Sequence, residues 1–435
     1  MSIASESVQA AAVTPAHDGR VESRGRGGTS RILAYTLSAP GHLFPVVSTL
    51  VELRRRGHDV VVVAGTPARE AVECAGLRWR AASAEGELTW KAPRSDDDHE
   101  QERRKRAAMM MRQQGEHAAA DLEQAIAAER PDVLLVDPVL GASVAAEASG
   151  LPWALAAHSP LLIPTRRARS LGPGNPPPAG ILGHVRDWLE GVRQRRMRDR
   201  HLPLVNQLRV SRGLDPLRHI WHGTRRAPLV LAYTAEPFEY PRKDWPSSVR
   251  FVGPGIWEAP AESPEWLAET GDTPLVLVST SSIHQAEDTL VEAAFAALAD
   301  QPVQVVATIP VTRIPAHVPA NFRVERYIPH AAVLERAACV VCHGGFGTTQ
   351  KSLAAGVPVV VVPFGSDQFE VARRVEAAGA GVRLPASELT PERLREAVQR
   401  AMECRPGAER VAAAFRRTGG AGAAADAIEA LLPVA

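Results

Sequence analysis

Cysteine is scarce in this chain, four residues in 435, too few for the disulfide framework that lets small secreted domains manage without a large core. Net charge is nearly absent as well, with 50 basic against 49 acidic side chains. That balance does not indicate a surface built to hold a polyanion, so nucleic acid is not an expected partner. No uninterrupted apolar stretch reaches the roughly 18 residues of a membrane-spanning helix, and no membrane span is expected. The first apolar strand is not followed by the G-x-G-x-x-G of a dinucleotide site, since Ala39-Pro40-Gly41-His42 stands there instead. That weakens a nicotinamide oxidoreductase as a reading. No Asp-x-Asp pair lies near the glycine-rich stretch described below, and Asp96-Asp97-Asp98 falls in a charged segment that reads as a solvated face. Neither a metal nor a resident cofactor is expected.

What is present suits an α/β protein of two domains, given 435 residues with 45% hydrophobic side chains. Residues 1–29, rich in Ala, Ser, Gly and Arg, read as a disordered tail without an apolar run of signal-peptide length. Reduced cysteines then place the expected setting in the cytoplasm.

The chain is organised around Cys339 to Gln368: a short apolar strand, a glycine-rich turn, a helix from about Thr349, and a second strand over Val357 to Val362. A helix that starts on such a turn is an anion site, because its first amides lack partners and carry the positive end of the dipole. Gly344, Gly345 and Gly347 remove the Cβ atoms that would hold an oxyanion away, Thr348 offers a hydroxyl, and His343 stands at the strand's end. A phosphate fits there. Asp367 and Gln368, after the next strand, supply an acceptor and an amide for sugar hydroxyls. Cys339-Val340-Val341-Cys342-His343 also matches the C-x-x-C-H pattern of haem attachment. Its thiols flank two valines in an apolar run that reads as a buried strand, which argues against haem.

In the first half, Arg31 to Thr36 reads as a strand, Pro45 to Arg56 as a helix and His58 to Ala64 as a second strand, a βαβ unit with His42 at the ligand edge. An imidazole there can take a proton from an attacking hydroxyl, or it can simply pack against the helix. Asp137, ending the strand from Pro131, can orient such a base or cap the helix from about Gly141. Met109 and Met110, in a charged segment that reads as a helix, are candidates for an acceptor pocket or for core. Leu229 to Ala232 reads as the last strand of this half, and the proline-rich run from Glu236 to Pro264 as a linker. Pro274 to Ser279 opens a second Rossmann-like unit and ends in Ser279-Thr280-Ser281-Ser282.

His343-Gly344-Gly345-Phe346-Gly347-Thr348, Pro363 followed by Asp367-Gln368, Tyr327-Ile328-Pro329-His330 upstream and Gly41-His42-Leu43-Phe44-Pro45 near the start together carry a family resemblance. Over roughly residues 31 to 432 the chain resembles the bacterial macrolide and natural-product branch of the UDP-glycosyltransferase superfamily. The resemblance implies the GT-B fold, two facing Rossmann-like domains with parallel sheets and a cleft between them. The bounds it implies are an acceptor domain at 30–240, a linker at 241–272, a nucleotide-sugar domain at 273–415, and a C-terminal helix at 416–435 that packs back on the first domain. It implies an inverting, metal-independent glycosyltransferase that moves a sugar from a UDP- or TDP-sugar to a hydroxyl of a small apolar aglycone. His42 and Asp137 would be catalytic, and Ser282, Tyr327, His343, Gly344, Gly345, Gly347, Thr348, Asp367 and Gln368 would bind the donor. One departure stands out: many relatives carry asparagine three residues after the glutamine, where this chain has Val371. A sugar-nucleotide epimerase, an inactive partner that activates another transferase, and a homodimer stay open at this stage.

Overall fold

Runs such as Val60-Val61-Val62-Val63 and Leu275-Val276-Leu277-Val278 are apolar on both faces of an extended strand. Strands of this kind belong to parallel sheets covered by helices on both sides. The computed structural model describes residues 28–84, 100–161, 163, 172–176, 178, 180–260, 264–271, 273–281, 287–311 and 313–433, without the side chains of 100–111 and 268–270.

The first half runs β1 (Arg31–Tyr35), α1 (Pro40–Arg55), β2 (Asp59–Ala64), α2 (Arg69–Cys74), β3 (Arg78–Ala81), α3 (Glu100–Glu129), β4 (Val133–Val136), α4 (Leu140–Ala148), β5 (Trp153–Ala157), α5 (Gly180–Asp199), α6 (Leu202–Val210), β6 (Leu229–Ala232) and β7 (Val249–Phe251). Its seven strands pair in parallel in the order β3-β2-β1-β4-β5-β6-β7. The second half runs β8 (Leu275–Ser279), α7 (Asp288–Leu298), β9 (Gln304–Thr308), β10 (Phe322–Glu325), α8 (His330–Arg336), β11 (Ala337–Cys342), α9 (Phe346–Ala354), β12 (Val359–Val361), α10 (Gln368–Ala377), β13 (Gly381–Arg383), α11 (Pro391–Glu403), α12 (Arg405–Arg417) and α13 (Gly420–Glu429). Six parallel strands form the second sheet in the order β10-β9-β8-β11-β12-β13. The expected α/β class with two Rossmann-like parallel sheets is what the chain adopts. Each sheet divides its apolar side chains between two cores: Leu33 and Tyr35 enter one, Ile32 and Ala34 the other.

Three expectations about elements need correction. β6 is not the last strand of the first sheet, because residues 249–251 return from the proline-rich run to pair with it. Before that return, Ala235 and Phe238 cross into the core of the second domain, where Phe238 meets the rings of Phe346 and Phe415. The helix on the glycine turn starts at Phe346 rather than Thr349, since the buried Phe346 ring anchors its first residue. The C-terminal helix expected over 416–435 is shorter, Gly420–Glu429, and is set off from α12 where Gly419 takes a left-handed φ of 85°. Beyond that break α13 packs on the first domain: Ala424, Ala425 and Ile428 join the core of Ile32 and Leu50, and Arg56 bonds Asp426 and Glu429. Among the described residues no helix is long and apolar enough to cross a membrane.

Candidate active site

In a doubly wound sheet the strand order reverses at one point, and the loops there diverge to leave a crevice at the strands' carboxyl ends. The first sheet reverses between β1 and β4, the second between β8 and β11. The side chains of interest follow these strands or the next one along.

His42 is the third residue of α1, a helix opened by Pro40, whose fixed φ and missing N–H suit a first position. Asp137 follows β4 and His158 follows β5. These three meet. His42 Nδ1 lies 2.7 Å from Asp137 Oδ2 and His158 Nε2 lies 2.7 Å from Asp137 Oδ1. The Thr36 hydroxyl and the Leu37 amide also donate to Oδ2, each at 3.2 Å. Asp137 is 1% exposed. Burial works to raise its carboxyl, but the imidazoles of His158 and His42 outweigh that and hold it well below the usual carboxylate range. An ionised carboxylate only accepts hydrogen bonds, so both imidazoles donate to it. The tautomer of neutral His42 is thereby fixed, with N–H at Nδ1 and a lone pair at Nε2. The ring is 31% exposed, open enough for a hydroxyl to approach.

His42, Asp137 and His158 present ligand-type atoms within 4.8 Å of one another, the only such group of three among the described residues. One nitrogen of each imidazole is instead committed to Asp137 as a donor, which makes the group a hydrogen-bonded proton unit.

On the facing wall β11 delivers His343 and the glycine turn. Gly344 has φ 94°, and a Cβ there would lie 2.7 Å from Val361 Cγ1, so only glycine lets β11 turn into α9 at this spacing. Gly345 is the N-cap of α9 and offers no capping side chain, which leaves the first-turn amides, over Phe346, Gly347 and Thr348, without carbonyl partners in the helix. His343 is 6% exposed, and its Nε2 faces the turn: a Cβ on Gly345 would come within 2.6 Å of it. On the ring's other side Nδ1 lies 3.5 Å from Oε1 of buried Glu287, whose Oε2 accepts the Ser281 amide at 2.6 Å. Burial lowers His343 to about 4 and raises Glu287 to about 7.

Asp367 is the N-cap residue of α10. Burial raises its carboxyl, and the charges of His158 and His42 act on it in the opposite sense, which puts the second domain's Asp367 within electrostatic reach of the first domain's histidines. Gln368 Oε1 accepts the amides of Phe364 and Gly365 at 2.8 and 3.1 Å, so this side chain shapes the loop between β12 and α10. Tyr327 is 60% exposed, so its ring is not core packing and its face is open to a flat ligand. Ser282 lies outside the described residues, and so do the side chains of Met109 and Met110.

Sequence reasoning passed over His158, Glu287 and Glu258. His158 carried the same signal that marked Asp137, a polar residue directly after a buried apolar strand. Glu258, in the proline-rich run, accepts the His330 and Ala331 amides at the start of α8 and takes Lys351 of α9 at 2.7 Å. Only the fold brings these elements together.

Comparison with known proteins bears on the family and the fold. The family described as erythromycin biosynthesis protein CIII-like, C-terminal domain, matches residues 292–417. The chain is 33% identical to 4'-demethylrebeccamycin synthase of Lentzea aerocolonigenes over 391 residues, which is 86% of this chain and 92% of that one. Among solved structures, the calicheamicin glycosyltransferase CalG4 superposes with a TM-score of 0.73 at 22% identity, covering 93% of this chain and 98% of that one. Glycosyltransferase VinC, solved in complex with dTDP, gives 0.65 at 21% identity, covering 92% and 99%.

Proposed function

The chain belongs to the erythromycin CIII-like family of GT-B glycosyltransferases of natural-product biosynthesis, and we propose that it moves a sugar, with inversion, from a thymidine or uridine diphosphate sugar to a hydroxyl of a small apolar aglycone. The observation that carries this reading is the 2.7 Å pairing of His42 with buried Asp137 at one switch point, across from a glycine turn and His343 at the other.

Neutral His42 presents its Nε2 lone pair to the acceptor hydroxyl and takes its proton as the oxygen attacks the anomeric carbon. Asp137 fixes the tautomer and stabilises the imidazolium that forms. The bond from that carbon to the diphosphate oxygen breaks on the opposite face, and the electron pair leaves with the diphosphate. His343, the first-turn amides of α9 and the Thr348 hydroxyl meet the charge that develops there, an electrostatic role filled by groups already in place. Asp367 and Gln368 hold the sugar, and Tyr327 stacks on the base. Because dipoles and an imidazole serve the diphosphate, transfer is expected to survive EDTA.

That VinC was solved with dTDP supports trying a thymidine nucleotide first. The test is thermal shift and calorimetry with TDP, UDP, GDP, ADP and NAD, followed by transfer from TDP- or UDP-glucose to a fluorescent hydroxycoumarin. Binding of TDP or UDP should disappear in His343→Ala. In His42→Ala binding should persist while transfer falls by about 100-fold or more, the scale of a lost general base. Silence towards every diphosphate would overturn the reading and leave an inactive partner as the better one.

A further inference from the structure

Glu287 is a buried acid that the reaction above does not use. It directly precedes α7, is 1% exposed, and its Oε2 holds the Ser281 amide at 2.6 Å. Its Oε1 has no hydrogen-bond partner, and neither has His343 Nδ1, 3.5 Å away. The imidazole therefore stands between a carboxyl on its Nδ1 side and the glycine turn on its Nε2 side. Two orphaned buried polar atoms that face each other are rare, and a single proton between them satisfies both.

We propose that Glu287 and His343 hold one proton in common, and that Glu287 passes it to His343 when a nucleoside diphosphate settles on the glycine turn; the proposal rests on the donor-site reading above. In the free protein the proton sits on Glu287, because burial raises this carboxyl to about 7 and lowers His343 to about 4. Nδ1 then accepts from the carboxyl, and the ring's own hydrogen is fixed at Nε2, towards the turn. The other titratable groups that act on Glu287 are Asp288, its neighbour in the chain, and the buried thiol of Cys342 on β11.

A diphosphate brings negative charge to the Nε2 side and favours the imidazolium. The O–H bond of Glu287 breaks and an N–H bond forms at His343 Nδ1. The carboxylate left behind keeps the Ser281 amide and gains the imidazolium as its partner. No proton enters from solvent. The leaving group thus meets a full positive charge in a pocket that is neutral when empty, and the proton returns to Glu287 when the diphosphate departs. Glu287 is in this sense a positioning residue, acting through His343.

The proton count tests it. TDP binding is measured by calorimetry in buffers of differing ionisation enthalpy at pH 6, for wild type and Glu287→Gln. The pair should take up no proton in wild type, whereas the variant, which must protonate His343 from solvent, should take up about one. TDP's own phosphate titration is common to both proteins and drops out of the difference. Between pH 5 and 7 the variant's affinity should fall by about tenfold per pH unit relative to wild type. Equal uptake in the two proteins would overturn the proposal while leaving the donor site intact; absence of TDP and UDP binding in wild type would instead remove the donor site itself. Should the variant fail to fold, nitrogen NMR of histidine-labelled wild type decides: His343 must go from neutral, with hydrogen on Nε2, to imidazolium on adding TDP at pH 6, and a ring that stays neutral refutes the transfer.

Discussion

Two glycines of the same turn should respond to alanine in opposite ways, and the contrast tests whether a phosphate belongs there. At Gly345 the φ is −58°, which alanine adopts freely, but the added methyl would lie 2.6 Å from His343 Nε2 and 3.0 Å from its Cε1. Ordinary contact begins near 3.4 Å, so ring or turn must shift by most of an ångström. Overpacking of this size costs about 1–3 kcal/mol of stability. Displacing the imidazole also removes a charge-assisted hydrogen bond to the ligand, about 1.5–3 kcal/mol, or roughly 10- to 150-fold in affinity. At Gly347 a Cβ meets nothing within 4 Å in the empty protein. This position is in the first turn of α9, where alanine is the better helix former by about 0.5–1 kcal/mol. Gly347→Ala should therefore melt slightly higher than wild type and yet bind TDP at least about tenfold more weakly, because its methyl takes up space above the amides that a phosphate needs. Thermal unfolding and calorimetry read both quantities on the same samples. If Gly347→Ala binds TDP as tightly as wild type, the phosphate does not lie on this turn and the reasoning fails.

The interface between the domains and the pH dependence of stability give two more tests. Arg374 is fully buried and bonds Glu239 at 2.8 Å and Glu370 at 2.7 Å, so Arg374→Met leaves the buried Glu370 carboxylate without its ion-pair partner and Glu239 with only Arg242, at 3.4 Å. A loss of about 3–5 kcal/mol is expected, roughly a 10 °C drop in the melting temperature. Adding Glu370→Gln should restore part of it, and an unchanged melting temperature in the single variant would contradict the account. Glu287, raised from an ordinary 4.5 to about 7, contributes stability that is fully present below pH 4.5 and lost as pH rises through 7. His343, lowered from 6.5 to about 4, contributes stability that is present above pH 6.5 and lost as pH falls through 4. Between pH 4.5 and 6.5 the two slopes oppose each other and cancel. Glu287→Gln should uncover the histidine's slope, a loss approaching about 3 kcal/mol from pH 6.5 down to 4 in urea unfolding. Wild type keeps the slope of His330, also lowered by burial to about 4, so the loss is read as the difference between the two proteins, and a variant with the same slope as wild type would refute it.

The sequence showed the two sheets and their ligand edges because parallel strands buried on both faces must be written as continuous apolar runs, and a polar residue after such a run has few places to go. Asp137 and His343 were singled out by that rule and do stand directly after β4 and β11, and His158, directly after β5, could have been. Glu287 could not: its partner His343 is 56 residues away and reaches it only because β8 and β11 are neighbours in the second sheet. The return of residues 249–251 to the first sheet was hidden for a different reason. A three-residue strand inside a proline-rich run has no periodicity to read. Gln368 was assigned a ligand role from its motif, and its carbonyl oxygen also holds two backbone amides, a contact that no motif spells out.

The replacement of a polar residue by Val371 bears on how the cleft is held. Val371 is fully buried among the apolar side chains of the second domain, so this position contributes packing and no sugar contact. The adjacent Glu370 turns away from any ligand role as well. Its carboxylate takes Arg374 at 2.7 Å and the Gly174 amide of the first domain at 3.3 Å, and Arg373 donates to the Gly174 carbonyl at 2.8 Å. Gly174 lies so close to α10 that a Cβ there would be 2.3 Å from the Phe369 carbonyl oxygen. The helix that carries Asp367 and Gln368 at its start is thus fastened to the first domain one and two turns further on, by charges and backbone contact rather than by interchangeable apolar surface. Buried ion pairs tolerate little displacement, because a partner that moves away leaves an uncompensated charge. What such a fastening contributes is a fixed placement of the start of α10, with Asp367, relative to the His42–Asp137–His158 unit of the first domain.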